Sequence, residues 1–111
     1  MQREMLCVLL EECDFDVISC ESAEAAECVL RKTAGRVALM MTDVQLAGRM
    51  NGVELAYVAK SRNPALDVVV TSGEPLRERL PDGAKFWSKP WAPLDVLREA
   101  ALAQGGASRA S

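Results

Sequence analysis

Apolar and polar positions change their period several times along the chain, and each change marks an element. Met5, Leu6, Leu9 and Leu10 fall on one helical stripe with charges opposite, which predicts a helix over Gln2–Glu12 that begins abruptly, with no strand before it. Asp14 and Asp16 flank Phe15 in a turn, and Asp16–Cys20 (DVISC) reads as a short strand. Ser22 is placed as the cap of a second helix, with Glu21 and Glu24 near its positive end. Ala25, Ala26, Val29 and Leu30 form its buried face, and Gly35 ends it. The unbroken apolar run Val37–Met41, followed by Thr42 and Asp43, has the length of a strand buried on both faces.

Beyond that strand, a loop holding Gly48 and Gly52 leads into a third helix, Val53–Arg62, with Val53, Leu55, Ala56, Val58 and Ala59 as its apolar positions and Pro64 as its stop. Asp67–Thr71 (DVVVT) is a second buried strand. Prolines and charges fill Glu74–Asp82, so at most one helical turn fits there. Ala84–Trp87 (AKFW) is the last strand, and Pro93 opens a final helix to about Ala103 with Leu94, Leu97, Ala101 and Leu102 inward. Gln104–Ser111 (QGGASRAS) has the composition of a flexible tail.

Strands that alternate with helices and cross over right-handed give a parallel sheet covered on both faces. At 111 residues the chain is one α/β domain, residues 1–103, followed by the tail 104–111. Apolar residues are 50% and charged residues 26%, which places it among globular rather than disordered chains. The net charge is −3 and no basic patch points to nucleic acid. No apolar run reaches membrane-spanning length and no secretory pattern opens the chain, so the expectation is a cytoplasmic protein. Cys7, Cys13, Cys20 and Cys28 form no CxxC pair and read as reduced packing thiols. With no histidine a zinc site is improbable, and catalytic triads and phosphohistidine chemistry on this chain are excluded.

The candidate chemistry collects at one edge. Asp43 ends a buried strand, and the carboxyl ends of strands are where open α/β sheets bind ligands. An aspartate there can equally be a turn residue. Two other strands end in Thr71-Ser72 and in Lys89, each of which also has a plain surface or turn reading. Their coincidence carries the weight. A carboxylate acceptor, a hydroxyl donor and an ammonium at three strand ends suit a phosphoryl group.

Three motifs, MTDVQLAGRMNGVEL, VVVTSG and FWSKPW, resemble those of response regulator receiver domains of bacterial two-component signalling. The resemblance runs from residue 1 to about residue 103. It implies a flavodoxin-like, CheY-like three-layer fold with strand order 2-1-3-4-5. It implies Asp43 as phosphoacceptor, Lys89 as the conserved-type lysine, a cis bond to Pro90, Phe86 as the switch aromatic, and Ser72 or Thr71 as the switch hydroxyl. Alignment on Gly73 favours Ser72, and strand alternation lets only one of the two face the site. The resemblance also implies Mg²⁺ held by Asp43 and the backbone carbonyl of Gln45, and a histidine kinase or phosphotransfer protein as donor. A downstream protein partner would read the result, and the chain itself would not be an enzyme.

Two departures from the family pattern stand out. The first, central strand and its acidic loop are missing, which should weaken Mg²⁺ binding. Either the start is misplaced or cut short, or the flanking strands close up, or a second copy supplies pairing in a homodimer. The fourth-helix region is also shortened, so any output face would be reshaped, with Trp91 a candidate contact and Trp87 a packing residue. The alternative function is a phosphorylation-independent receiver-like binding module. A haloacid dehalogenase-type phosphatase would want a second aspartate where Gln45 stands.

Overall fold

The structure is a computed structural model that describes residues 3–16, 18, 20, 22–33, 36–46 and 48–110, and side chains within 5–103 of these. The elements are α1 (Arg3–Glu12), α2 (Ala23–Thr33), β1 (Leu39–Asp43), α3 (Gly52–Arg62), β2 (Asp67–Ser72), β3 (Lys85–Ser88) and α4 (Pro93–Ala110). The strands are parallel in the order β1-β2-β3, with Met40 opposite Val68, Asp43 opposite Thr71, and Val70 opposite Phe86.

Alternation along the strands splits the sheet into two faces. Val68 and Val70 pack with Val53, Ala56 and Ala59 of α3 and with Leu66, and Leu30, Val37 and Met40 close around them. Val69 and Thr71 look to the opposite face, where Lys85 of β3 meets Glu99 of α4. The β2 strand is the centre of the molecule: Val68, Val69 and Val70 are all fully buried. A strand covered on both faces has no polar side to show, which is why DVVVT reads as a continuous apolar run.

Helix ends follow their local chemistry. Ser22 caps α2 by accepting from the Ala25 amide at 3.1 Å. Asn51 and Glu54 form a reciprocal capping box at the start of α3. No helix lies between β2 and β3. Leu76 and Leu80 instead pack on the core, and the Tyr57 hydroxyl donates to the Arg79 carbonyl at 2.7 Å.

Several expectations are corrected. Asp16, Ile18 and Cys20 are not in a strand, while Val17 and Ser19 of that expected strand, and Gly35 as a helix stop, lie outside the described residues. Among the described residues the sheet therefore has three strands. Ala25 of α2 is exposed rather than buried. Helix α4 continues to Ala110, and its inward residues are Val96, Glu99 and Ala100, with Leu97 half-buried. Leu94 and Leu102 are exposed at 52% and 70%, and Ala101 is exposed too. The charged Glu99 turns inward because Lys85 receives it, an attraction invisible to a hydrophobic count. Met5 of α1 is exposed, and no described side chain of that helix is fully buried.

Candidate functional site

Asp43 is brought to the carboxyl edge by β1 and held there by its neighbours. The Val44 amide donates to the Thr71 carbonyl at 2.9 Å, which continues the β1–β2 ladder past the aspartate. The chain then turns, and the Gly52 amide donates to the Val44 carbonyl at 2.8 Å. A Cβ on Gly52 would lie 1.8 Å from the Asp43 carbonyl oxygen, so only glycine permits this approach. Glu24 ties the loop to α2 by accepting from the Met50 amide at 3.1 Å.

Three strand ends meet at the carboxylate, as the sequence pattern implied. The Thr71 hydroxyl donates to Asp43 Oδ1 at 2.5 Å. The Lys89 ammonium stands 3.1 Å from the same oxygen. Lys89 is placed by its own backbone, whose amide donates to the Ser72 carbonyl at 2.8 Å, and by the cis peptide to Pro90 that follows. Asp43 Oδ2 makes no hydrogen bond to the described residues. Both charged side chains keep nearly half their surface in solvent, so the pair is worth about 0–1 kcal/mol to stability and is open to a partner.

The two adjacent hydroxyls divide. Thr71 is buried and faces Asp43, whereas Ser72 Oγ accepts from the Glu74 amide at 3.1 Å in its own turn. The hydroxyl facing the aspartate in this structure is therefore Thr71, not the Ser72 that alignment on Gly73 favours. Phe86 is half-buried opposite Val70, on the α3 side of the sheet, away from the face that carries Thr71. Trp87 sits opposite Thr71 and is half-buried, as is Trp91. Gln45 is exposed. Sequence reasoning missed the structural role of Gly52 and the Glu24 tether; the N-G pair at the helix start was the available signal for the first.

The donor set does not make a Mg²⁺ site by itself. Among the described residues no three His, Cys, Asp or Glu side chains come together to hold a metal. Asp43 brings one half-exposed carboxylate, and Lys89 already sits on one of its oxygens. Mg²⁺ wants near-octahedral oxygen ligands and binds through carboxylates, and this edge offers it little beyond that one group.

Solved structures with the same architecture are receiver domains. The receiver domain of the hybrid histidine kinase CckA superposes with a TM-score of 0.77 at 22% identity, covering 91% of this chain and 87% of that one. A response regulator receiver protein from Sinorhizobium medicae gives 0.77 at 19% identity, over 90% and 82%. The receiver domain of NtrX from Brucella abortus gives 0.72 at 24% identity, over 91% and 88%. No family model matches the chain, and no curated protein matches it in sequence. The fold is that of a response regulator receiver domain, with a three-stranded sheet among the described residues. No helix among the described residues is long and apolar enough to cross a membrane.

Proposed function

We propose that the chain is a receiver module that accepts a phosphoryl group on Asp43 from a phosphohistidine of a partner kinase or phosphotransfer protein. The observation that carries this reading is the meeting of Asp43, Thr71 and Lys89 at three adjacent strand ends. Oδ2 attacks phosphorus in line, a P–O bond forms, and the P–N bond to the partner's imidazole breaks with its electron pair leaving on nitrogen. Lys89 offsets the charge that accumulates on the phosphoryl oxygens, and the Thr71 hydroxyl can turn from the carboxylate to donate to one of them. The product carries nearly two added negative charges at a half-exposed edge, enough to alter which partner protein binds there. On this reading the chain is a signalling acceptor of the cytoplasm, not an enzyme with a substrate of its own.

One observation favours a second reading. Among the described residues Asp43 belongs to no group of three or more potential metal ligands, and its charge is already met by Lys89. A receiver fold that binds a protein partner without phosphate would look the same.

Intact mass after treatment with acetyl phosphate and Mg²⁺, beside an Asp43→Asn control, separates the two. An adduct on the parent and none on the control supports the acceptor. A folded parent that gains no mass, while a receiver of known activity in the same tube does, overturns it and leaves the binding module.

A further inference from the structure

A second charged cluster lies at the opposite end of the same sheet face. Asp67 is the first residue of β2, Lys85 the first of β3, and Glu99 sits midway along α4. The Lys85 ammonium donates to Glu99 Oε2 and stands 3.8 Å from Asp67 Oδ1. Both carboxyls thus converge on one ammonium, two acids against a single base in a largely enclosed place. Glu99 is 8% exposed, and the Asp67 side chain 18%. A glutamate this deep on a helix that otherwise buries only valine and alanine is costly unless it is paired.

We infer that Asp67, Glu99 and Lys85 form a proton-dependent latch fixing α4 to the sheet, closed when one of the two carboxyls carries a proton and loosened when that proton leaves. With that proton the cluster is neutral, one carboxylate against one ammonium. Without it a buried and a half-buried carboxylate share a single lysine. Of the surrounding groups, one acts against the proton. Lys60 of α3 lies near enough to favour an ionised Asp67, but its ammonium is committed to the Pro64 and Leu66 carbonyls at 3.0 and 2.8 Å. On β1 the residue opposite Asp67 is the uncharged Leu39. Asp95 and Arg98 of α4 are exposed.

The pH window follows from the same contacts. Burial and the hydrogen bond to Glu99 push the Asp67 carboxyl up to about 6, while the bonds from Asp67 and Lys85 hold Glu99 below its ordinary value. The chain has no histidine, so no ordinary side chain titrates between the carboxylates and the thiols. Between about pH 5.5 and 7.5 the other ordinary group that changes charge is the α-amino terminus, and Asp67→Asn separates its effect from that of the cluster. The latch is independent of phosphoryl chemistry at Asp43, and its test needs no phosphate donor.

The experiment is amide hydrogen exchange of the full chain by mass spectrometry at both pH values, corrected for intrinsic rates, reading the peptide that covers the first turns of α4. An opening that frees Asp67 predicts that protection falls about fourfold from pH 5.5 to 7.5. Asp67→Asn keeps a permanent donor to Glu99, so protection should be high and equal at both pH values. Glu99→Gln removes the carboxylate that Lys85 holds, so protection should be low at both. A parent with no pH step, or Asp67→Asn with the parent's step, overturns the latch. Should Glu99→Gln fail to fold, the Asp67→Asn comparison decides alone.

Discussion

Two hydroxyls one residue apart show what a sequence can and cannot settle about a site. That a hydroxyl would face Asp43 was legible, because β2 ends in Thr71-Ser72 and β1 ends in Asp43. Which one was not, because the answer depends on strand register, a property of the pairing rather than of either strand. The register sets Thr71 opposite Asp43 and turns Ser72 into a local turn. Thr71→Val keeps the shape at a position only 1% exposed and removes one hydrogen bond to a carboxylate, so it should cost about 1–2 kcal/mol in urea denaturation. Ser72→Ala should cost within about 0.5 kcal/mol, since the Glu74 amide it serves is exposed to water. If the phosphoryl group uses the hydroxyl that faces Asp43, Thr71→Val also lowers the acetyl phosphate adduct and Ser72→Ala does not. The reverse order would assign that task to Ser72.

Elements with strong local punctuation were readable, and those decided by distant partners were not. Ser22 and Pro64 placed the start of α2 and the end of α3 to within a residue or two, because caps and stops act through the nearest backbone groups. The face of α4 was misread because Leu94, Ala101 and Leu102 outscore a glutamate on any hydropathy scale, and only the position of Lys85 reveals that Glu99 belongs inside. The β1–α3 connection is the element on which the site depends most. Gly52 lets the loop pass against the Asp43 carbonyl, where a methyl group has no room. Gly52→Ala must push that loop off β1, at a cost of about 1–3 kcal/mol or more. The capping box at Asn51 and Glu54 should survive, so the helix content by circular dichroism should change little while the unfolding midpoint drops. An alanine variant as stable as the parent would show that the close approach is not what positions Asp43.

For the whole molecule, a parallel sheet and the edge bearing Asp43 and Lys89 followed from alternation and apolar runs, while the order of the strands came with the receiver resemblance. The charge balance that fixes α4 did not, since no spacing in the sequence joins positions 67, 85 and 99. That balance reaches global stability with a definite sign. Asp67 is raised in the fold, so its contribution is fully present below the unfolded value of 3.8 and is lost as pH rises through about 6. Glu99 is lowered from 4.5, so its contribution is present above that value and lost as pH falls further. The cluster therefore favours the fold most between roughly 4.5 and 6, where the pair holds one proton. At neutral pH the strained ionisation of Asp67 costs roughly 2–3 kcal/mol at most, a sizeable share of the 5–15 kcal/mol typical of a domain. Thermal unfolding should accordingly give a lower midpoint at about pH 7.5 than at about pH 5.5, and Asp67→Asn should flatten the profile and raise the neutral midpoint by on the order of 5 °C. A variant less stable than the parent at neutral pH would mean that the Lys85–Asp67 attraction outweighs the repulsion between Asp67 and Glu99, and that the ionised cluster is the stable one.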